Sequence, residues 1–207
     1  MITKIISVIV FLVSMQGFND RSLFERFKHS PYRVVHYKEY YRLLTSGFLH
    51  GSWVHLLVNL FVFWQFGDFV ENFIFISVFG KVLGSFLYLL LVLLAIVVGN
   101  IPSTIKHKND MYYGAIGLSG AVSAILFSYV LISPWSKIYL YAIIPIYTVV
   151  AAILYLVYSQ WAANNSRDNV DHSAHFYGAI FGLVYTIAVY PAIVPYFIER
   201  LIQNFPF

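Results

Sequence analysis

The stretch WVHLLVNLFVFWQFGDFV at residues 53–70 decides the fold class of this chain. No Asp, Glu, Lys or Arg precedes Asp68 in it, and its length is close to the roughly 20 residues with which a helix crosses a hydrocarbon core about 30 Å thick. Further apolar runs follow, and none shows the alternation of barrel strands. Because hydrocarbon offers no partners for backbone hydrogen bonds, these runs predict helices. We therefore expect an all-α, polytopic membrane protein.

The composition of the whole chain agrees with a membrane protein. Of its 207 residues, 60% are hydrophobic and 11% are charged, and the mean hydropathy is +0.74, which does not suit a water-facing surface. Six transmembrane helices are predicted, at about residues 3–18, 53–70, 82–98, 117–132, 138–158 and 173–190. They leave no room for a separate soluble domain. Residues 1–207 are therefore expected to form a single membrane domain, with the first span retained rather than removed as a signal peptide.

Residues 19–52 are too polar to cross a bilayer and are predicted to form an interfacial loop. Between residues 20 and 42, six basic and three acidic side chains are interleaved with aromatic ones, which is typical of contact with lipid head groups. Although the net charge is +4, the rest of the chain lacks the basic patch that nucleic-acid binding requires, so no nucleic-acid partner is expected. The absence of cysteine excludes disulfides, thiolate metal sites and a cysteine nucleophile.

Polar residues inside predicted spans are costly and therefore indicate function. They form three clusters, at the starts of the second, fourth and sixth spans. The clusters are His50, His55 and Asn59; Gly117, Ser119 and Gly120; and His172 and His175. Because consecutive spans alternate in direction, these three starts lie on the same side of the bilayer. The sequence thus predicts one composite site built from three helices.

Two of these residues have the chemistry of a nucleophile and a base. Ser119 would lie in the first turn of its helix, where free N–H groups and the helix dipole stabilise an anion. His175 shares a helix face with Gly178 and Gly182, which allow a neighbouring helix to approach closely. A neutral imidazole can take the proton of a serine hydroxyl and return it to a leaving amine. For each motif the alternative is simple packing or a hydrogen bond between helices.

His55 and Asn59 lie four residues apart, on one face of the second span, and both can donate hydrogen bonds. Together with the backbone N–H of Ser119 they could surround a carbonyl oxygen as it becomes negative. Their alternative role is to join helices. His50 lies near the membrane boundary, where we expect it to fix the loop that leads into the span.

Taken together, the motifs resemble those of the rhomboid intramembrane serine proteases. The shared features occur in order on alternate spans between about residues 39 and 182. They are His50 and His55 with Asn59, the segment GLSG at 117–120, and the segment AHFYGAIFG at 174–182. The family's tryptophan-arginine pair in the first loop has its counterpart in Tyr41 and Arg42.

The resemblance implies a role for each matching residue. Ser119 would be the nucleophile and His175 its base, in a dyad without a carboxylate. The oxyanion hole would consist of His55, Asn59 and the Ser119 N–H. Supporting roles would fall to His50, Gly117, Gly120, Gly178, Gly182 and Arg42.

By the same resemblance, the substrates are single-span membrane proteins, and neither a cofactor nor a metal is required. The chain would be a multi-pass protein of a bacterial inner membrane, with a cytoplasmic amino terminus and a site that opens to the outer side. Basic residues, nine outside against four inside, favour the opposite orientation; we side with the family, whose first loop lies in the interface. Span five would be a lateral gate, and residues 161–170 would form a lid.

One position departs from the family. Ser123 stands where an aromatic residue often stacks on the catalytic histidine, so Tyr177, His172 or an aromatic residue of another helix must orient His175. Two other functions compete with proteolysis. One is a catalytically inactive rhomboid-like protein that binds transmembrane helices. The other is a metal or haem protein with ligands chosen from His50, His55, His172 and His175.

Overall fold

A computed structural model describes residues 1–140, 143–166, 168 and 170–206 of the chain. The fold is mainly helical, as predicted. The helices are α1 (Ile2–Asn19), α2 (Arg21–Phe27), α3 (Pro31–Tyr37), α4 (Arg42–Thr45), α5 (Trp53–Val70), α6 (Ser77–Lys106), α7 (Ser119–Ile132), α8 (Thr148–Asn165), α9 (His172–Val189) and α10 (Ile193–Gln203). A 3-10 turn (Ser46–Phe48), a π turn (Glu71–Ile76) and two strands, β1 (Lys137–Leu140) and β2 (Ile144–Tyr147), complete the order.

The second and third predicted spans lie in one nearly continuous helical run that turns at Gly80. The φ of +75° and ψ of 169° at Gly80 are non-helical, a conformation that glycine adopts without a Cβ penalty. Beyond it, α6 packs back against the π turn so closely that a Cβ on Gly84 would overlap the Phe75 carbonyl. The turn therefore directs α6 back along the preceding helical run.

The predicted end of the third span near residue 98 is wrong, because α6 continues through Pro102 to Lys106. The polar side chains of this stretch find partners in the first loop instead of ending the helix. Asn100 donates to the Leu43 carbonyl at 2.8 Å and to the Ser46 hydroxyl at 3.1 Å. The end of α6 is thus fixed against the segment that precedes the first polar cluster.

The prediction of a helix over residues 138–158 is wrong in its first half. β1 and β2 pair antiparallel, with Lys137 opposite Tyr147, and α8 begins only at Thr148; residues 141–142 of that span lie outside the described residues. The segments KIYL and IPIY are rich in β-branched and aromatic residues, which favour strands, and Pro145 disfavours helix in the residue before it. Within the described ranges, the all-α class therefore holds apart from this hairpin and one isolated bridge between His29 and Ala115.

The predicted lid over residues 161–170 is too long, because its first part, up to Asn165, belongs to α8. Residues 167 and 169 of that segment lie outside the described residues. At the far end of α9, the chain bends by 112° into α10. α10 packs against the end of α7, where the Trp135 indole donates to the Leu201 carbonyl at 3.0 Å.

The predicted loop over residues 19–52 is folded into α2, α3, α4 and the 3-10 turn, with Arg42 at its centre. The Arg42 side chain is 3% exposed, donates to the carbonyls of Glu25 and Lys28 at 2.8 and 2.9 Å, and pairs with Glu39. Hydrogen bonds from Arg33 and Arg42 lower the pKa of Glu39 to about 2. A buried arginine with three hydrogen bonds thus holds the loop together.

Fewer helices than the six predicted are long and apolar enough to qualify as spans on their own. Among the described residues, Ile2–Asn19 and the run Trp53–Lys106 qualify, and the bent pair α9 and α10 qualifies if it is counted as one span. α7 is apolar but has only 14 residues. The chain is a membrane protein, and the count of six remains a prediction.

Candidate active site

The structure brings Ser119 and His175 into direct contact. Ser119 is the first residue of α7, and His175 lies in the first turn of α9. The Ser119 Oγ and the His175 Nε2 are 2.7 Å apart, which is a hydrogen bond across 56 residues of sequence. A neutral imidazole with an unprotonated Nε2 accepts the serine proton in this arrangement. The pair therefore has the geometry of a nucleophile and its general base.

Close packing of the backbones of α7 and α9 sets this distance. A Cβ on Gly178 would overlap the carbonyl of Gly120, and a Cβ on Gly182 would overlap the carbonyl of Ala124. The two glycines of α9 therefore lie directly on the backbone of α7. We call this contact the α7–α9 seam.

Gly117 shapes the loop that leads into α7. Its φ of +125° is one that side chains of L residues rarely adopt, and a Cβ there would lie 2.9 Å from the His55 Cε1. His55, Asn59 and Gly117 line one cavity of about 600 Å³ together with Ser119 and His175. The four residues predicted for the dyad and the oxyanion hole therefore line a single cavity, together with Gly117.

His50 forms a hydrogen bond with the loop that leads into α7. Its ring is fully buried, and its Nε2 accepts a hydrogen bond of 3.4 Å from the Leu118 N–H. The proton therefore lies on Nδ1, which donates to the Ser14 hydroxyl at 2.9 Å, and Ser14 donates in turn to the Phe48 carbonyl. Burial lowers the pKa of His50 to about 3, so the ring is neutral at physiological pH. His50 thus ties α1 to the residue before the candidate nucleophile.

The ring that faces His175 comes from α8. Tyr155 lies nearly parallel to the imidazole, with ring centroids 6.1 Å apart and planes 18° apart. Its hydroxyl is 2.6 Å from the Ser123 Oγ. His172 contacts the same imidazole edge-on at 5.7 Å, whereas Tyr177 makes its ring contact with Phe176. Of the alternatives left open by the sequence, an aromatic residue of another helix is the one that stacks.

Asp171 is a site residue that the sequence reasoning missed. It caps α9 by accepting from the Ala174 N–H at 3.0 Å, and its second oxygen accepts from the Ser103 hydroxyl at 2.6 Å. It thereby fixes the start of α9 against α6, one turn from His175. An aspartate just before a predicted helix is a standard N-cap signal, so it could have been found. Tyr155 carries no comparable signal.

The histidines do not assemble into a metal centre in the part of the chain that the structure describes. No group of three or more His, Asp or Glu side chains there is arranged to hold an ion. His50 and His55 contact each other at 4.8 Å between ring centroids, and His172 instead bonds the Asp168 carboxylate at 3.1 Å. The site therefore offers geometry for a serine and an imidazole but none for a three-ligand metal.

A family model for the rhomboid domain matches residues 37–192, which is well over half of the chain. The chain belongs to the rhomboid family. The match includes every residue of the cavity described above, and it begins just before Glu39 and Arg42.

This rhomboid is similar to curated mammalian relatives. The "presenilin-associated rhomboid-like protein, mitochondrial" of Homo sapiens is 26% identical over 159 residues, which cover 69% of this chain and 36% of the relative. The protein of the same name in Mus musculus is 27% identical over the same shares. This rhomboid thus spans about a third of the length of the relatives that it matches.

Proposed function

We propose that this rhomboid is an intramembrane serine endopeptidase that hydrolyses peptide bonds in or near the transmembrane segments of membrane proteins. The observation that carries the proposal is the 2.7 Å hydrogen bond between the Ser119 hydroxyl and the His175 imidazole, at the wall of a cavity. Gly178 and Gly182 already pack α9 against α7, so the packing of the two helices does not require this hydrogen bond.

In the proposed reaction, the Ser119 Oγ attacks a substrate carbonyl carbon while the His175 Nε2 takes the hydroxyl proton. The resulting imidazolium protonates the leaving amine as the carbon–nitrogen bond breaks, which leaves an acyl group on Ser119. Water then enters the cavity, loses a proton to His175 and attacks the ester, and the proton returns to Ser119. The dyad thus acts twice, once for each half of the hydrolysis.

The negative charge on the carbonyl oxygen needs donors on the other side of the serine. His55, Asn59 and the Ser119 N–H are proposed for this role, because His55 and Asn59 border the same cavity. In the free protein the Asn59 amide donates to the His55 carbonyl of its own helix at 2.9 Å. The amide has a second N–H, which is available to a bound oxyanion.

A helical substrate cannot react as it stands, because its carbonyl groups are already hydrogen bonded. We propose that a single-span segment enters the site from the lipid and unwinds locally before it is cut. Small residues at the cleaved bond and helix-weakening residues nearby would favour this step, as the family resemblance implies.

The orientation of the chain is part of the proposal: the amino terminus is cytoplasmic and the cavity opens to the opposite face. Because the chain has no cysteine, a single cysteine at the exposed Asn109 can be labelled without background. We expect a membrane-impermeant maleimide to label this cysteine from the outer face. Labelling from the cytoplasmic face alone would show the opposite orientation. The placement in a bacterial plasma membrane stays a prediction, since the curated relatives are named as mitochondrial.

The decisive experiment uses the purified full chain and a single-span model substrate. Wild type is expected to cleave the substrate and to react covalently with a fluorophosphonate, while Ser119→Ala does neither. A wild-type protein that binds the substrate but neither cleaves it nor takes up the fluorophosphonate would instead be an inactive helix-binding rhomboid. Cleavage by purified Ser119→Ala would eliminate the mechanism.

A further inference from the structure

Four residues, two of which are the candidate dyad, are joined in a closed ring of contacts. The Ser123 hydroxyl lies one turn beyond Ser119 and contacts the Ser119 carbonyl at 2.8 Å. It also lies 2.6 Å from the Tyr155 hydroxyl. The Tyr155 ring faces the His175 imidazole, and the imidazole returns to Ser119. The ring of contacts thus passes through α7, α8 and α9.

The direction of the hydrogen bonds in this ring of contacts is fixed by counting protons. Ser123 has a single hydroxyl hydrogen, and the Ser119 carbonyl can only accept, so Ser123 donates to that carbonyl. The Tyr155 hydroxyl must therefore donate to the Ser123 Oγ. Tyr155 is thereby held at both ends, at its hydroxyl by Ser123 and along its ring by the imidazole.

The imidazole needs this second constraint. The bond to Ser119 fixes the position of one ring nitrogen but leaves the ring free to rotate about the axis through that nitrogen. A flat ring lying nearly parallel at 18° restricts the rotation. The edge-on contact of His172 does not define the plane of the imidazole in this way, because the two rings are nearly perpendicular.

We propose that Tyr155 is a positioning residue that holds the plane of the His175 imidazole in line with Ser119, and that Ser123 locks Tyr155 in this role. This inference rests on the proposed function and adds to it a dependence on α8. The base and the nucleophile belong to the seam, whereas the alignment of the base depends on a helix that packs more loosely. Any movement of α8 that withdraws Tyr155 would leave the dyad in contact but misaligned.

The surroundings of Tyr155 make such a movement feasible. An apolar cavity of about 630 Å³ separates α7 from α8, and Tyr155 forms part of its wall. On its outer side α8 presents exposed apolar residues, including Ile153 and Val157. The helix that aligns the base is therefore bordered by open space on one side and by lipid on the other.

The test compares variants of the purified full chain by steady-state cleavage of a single-span model substrate and by the rate of fluorophosphonate labelling. Tyr155→Leu, which removes the ring, is expected to lower kcat and the labelling rate by about 10²-fold, with KM unchanged within about twofold. Tyr155→Phe removes the hydrogen bond to Ser123, and Ser123→Ala removes this bond together with the one to the Ser119 carbonyl. Each variant should lower kcat by about fivefold. Because Ser123→Ala already removes the bond that Tyr155→Phe removes, the double variant should lose no more than Ser123→Ala alone.

A rescue variant separates positioning from mere loss of packing. In Tyr155→Leu combined with Ser123→Tyr, the ring comes from the helix of the nucleophile itself, one turn beyond Ser119. This protein should recover at least about tenfold of the lost kcat. The matched control is Val157→Ala, an exposed change on the lipid side of α8 that should leave kcat unchanged.

Failure of the positioning role can be distinguished from failure of the proposed function. If wild type neither cleaves nor labels, the proposed function fails; if wild type is active and Tyr155→Leu matches it in kcat and labelling rate, the positioning role alone is overturned. If Tyr155→Leu fails to fold, Tyr155→Phe and Ser123→Ala decide instead, since full activity in both would refute the lock. Additive losses in their double variant would show two independent roles and would also overturn it.

Discussion

The two helices that flank α7 are attached to it in different ways. α9 lies backbone against backbone on α7, and below Gly178 and Gly182 the buried hydroxyls of Ser128 and Thr186 join the helices at 2.7 Å. α8 instead leaves an apolar cavity of about 630 Å³ beside α7 and reaches the site through a side chain. The distance between serine and imidazole is therefore built into the backbone, whereas the plane of the imidazole depends on a rotatable tyrosine.

This difference indicates which parts of the site can move. When two backbones are in close contact, a small approach produces overlap and a small separation breaks the contact. A side chain at the edge of a cavity can leave its position at much lower cost. We therefore expect the seam to be rigid during turnover and α8 to be the element that adapts to a substrate.

The largest expected effect comes from removing either residue of the candidate dyad that the seam brings together. Ser119→Ala or His175→Ala should each lower kcat by about 10⁶-fold, and the double variant should be no worse, because the two residues act as one unit. Cleavage assays on the model substrate measure this, with the thermal unfolding midpoint as the folding control. A double variant much slower than either single variant would mean that the two side chains act separately.

The seam itself can be opened by one methyl group. Gly178→Ala places a Cβ against the Gly120 carbonyl, so it should lower the free energy of unfolding by about 1–3 kcal/mol and kcat by about 10²-fold. Gly51→Ala is the matched control, because its Cβ would meet only the Ile116 side chain at 3.5 Å, an ordinary contact. Equal behaviour of the two variants in unfolding and cleavage assays would contradict a rigid seam.

A third region, α5, sharpens the comparison because it belongs to neither flank. Asn59→Ala should lower kcat by about 10²-fold, or by less if His55 shares the charge of the oxyanion. KM and the thermal midpoint should change little, since the amide bonds only its own helix. A rise in KM at constant kcat would instead assign Asn59 to substrate binding.

The pH dependence of turnover tests the base that the seam presents. His175 must be neutral to accept the Ser119 proton, so kcat/KM should fall by about tenfold per pH unit on the acid side of the profile. The neutral His50 below the loop does not titrate in this range. A kcat/KM that shows no acid limb at any pH at which the protein stays folded would argue against a histidine base.

The smallest expected effect lies outside both regions, in the first loop. The pKa of Glu39 is lowered to about 2, so its pairing stabilises the fold above the pKa of about 4.3 in the unfolded chain and is lost as the pH falls towards 2. Because Glu39 is partly exposed, the contribution is expected to be below about 1 kcal/mol. Glu39→Gln should therefore unfold with a weaker pH dependence between about pH 5 and pH 2 than wild type, as measured by thermal melts.

The sequence was most informative where a single strong signal fixed a position. The run at residues 53–70 has the bounds of α5, because Ser52 caps it and its apolar residues leave no alternative. Members of all three polar clusters line one cavity, in agreement with the prediction from alternating helices. Helix parity and motif spacing are properties of the chain alone, so both could be derived before the structure was known.

Other features depend on partners that the local sequence does not reveal. The run at 138–147 is as apolar as a span, and its β-branched residues and Pro145 are weak signals beside the pairing of β1 with β2. Pro102 would normally end a helix, yet the contacts of Asn100 with the first loop sustain α6 beyond it. Tyr155 is one of 17 tyrosines, and nothing in its neighbours along the chain shows that it faces His175.

Under the proposed function, the shortness of α7 has a consequence for where a substrate would be cut. Its 14 residues rise by about 21 Å, roughly 9 Å less than a hydrocarbon core of about 30 Å. If the Trp135 end is anchored at one interface, as tryptophan prefers, the hydroxyl of Ser119 lies about 9 Å below the other interface. The depth of the Ser119 hydroxyl would then select the bond that is cut. A bilayer thicker by about 3 Å would displace that bond by about two residues along a helical substrate.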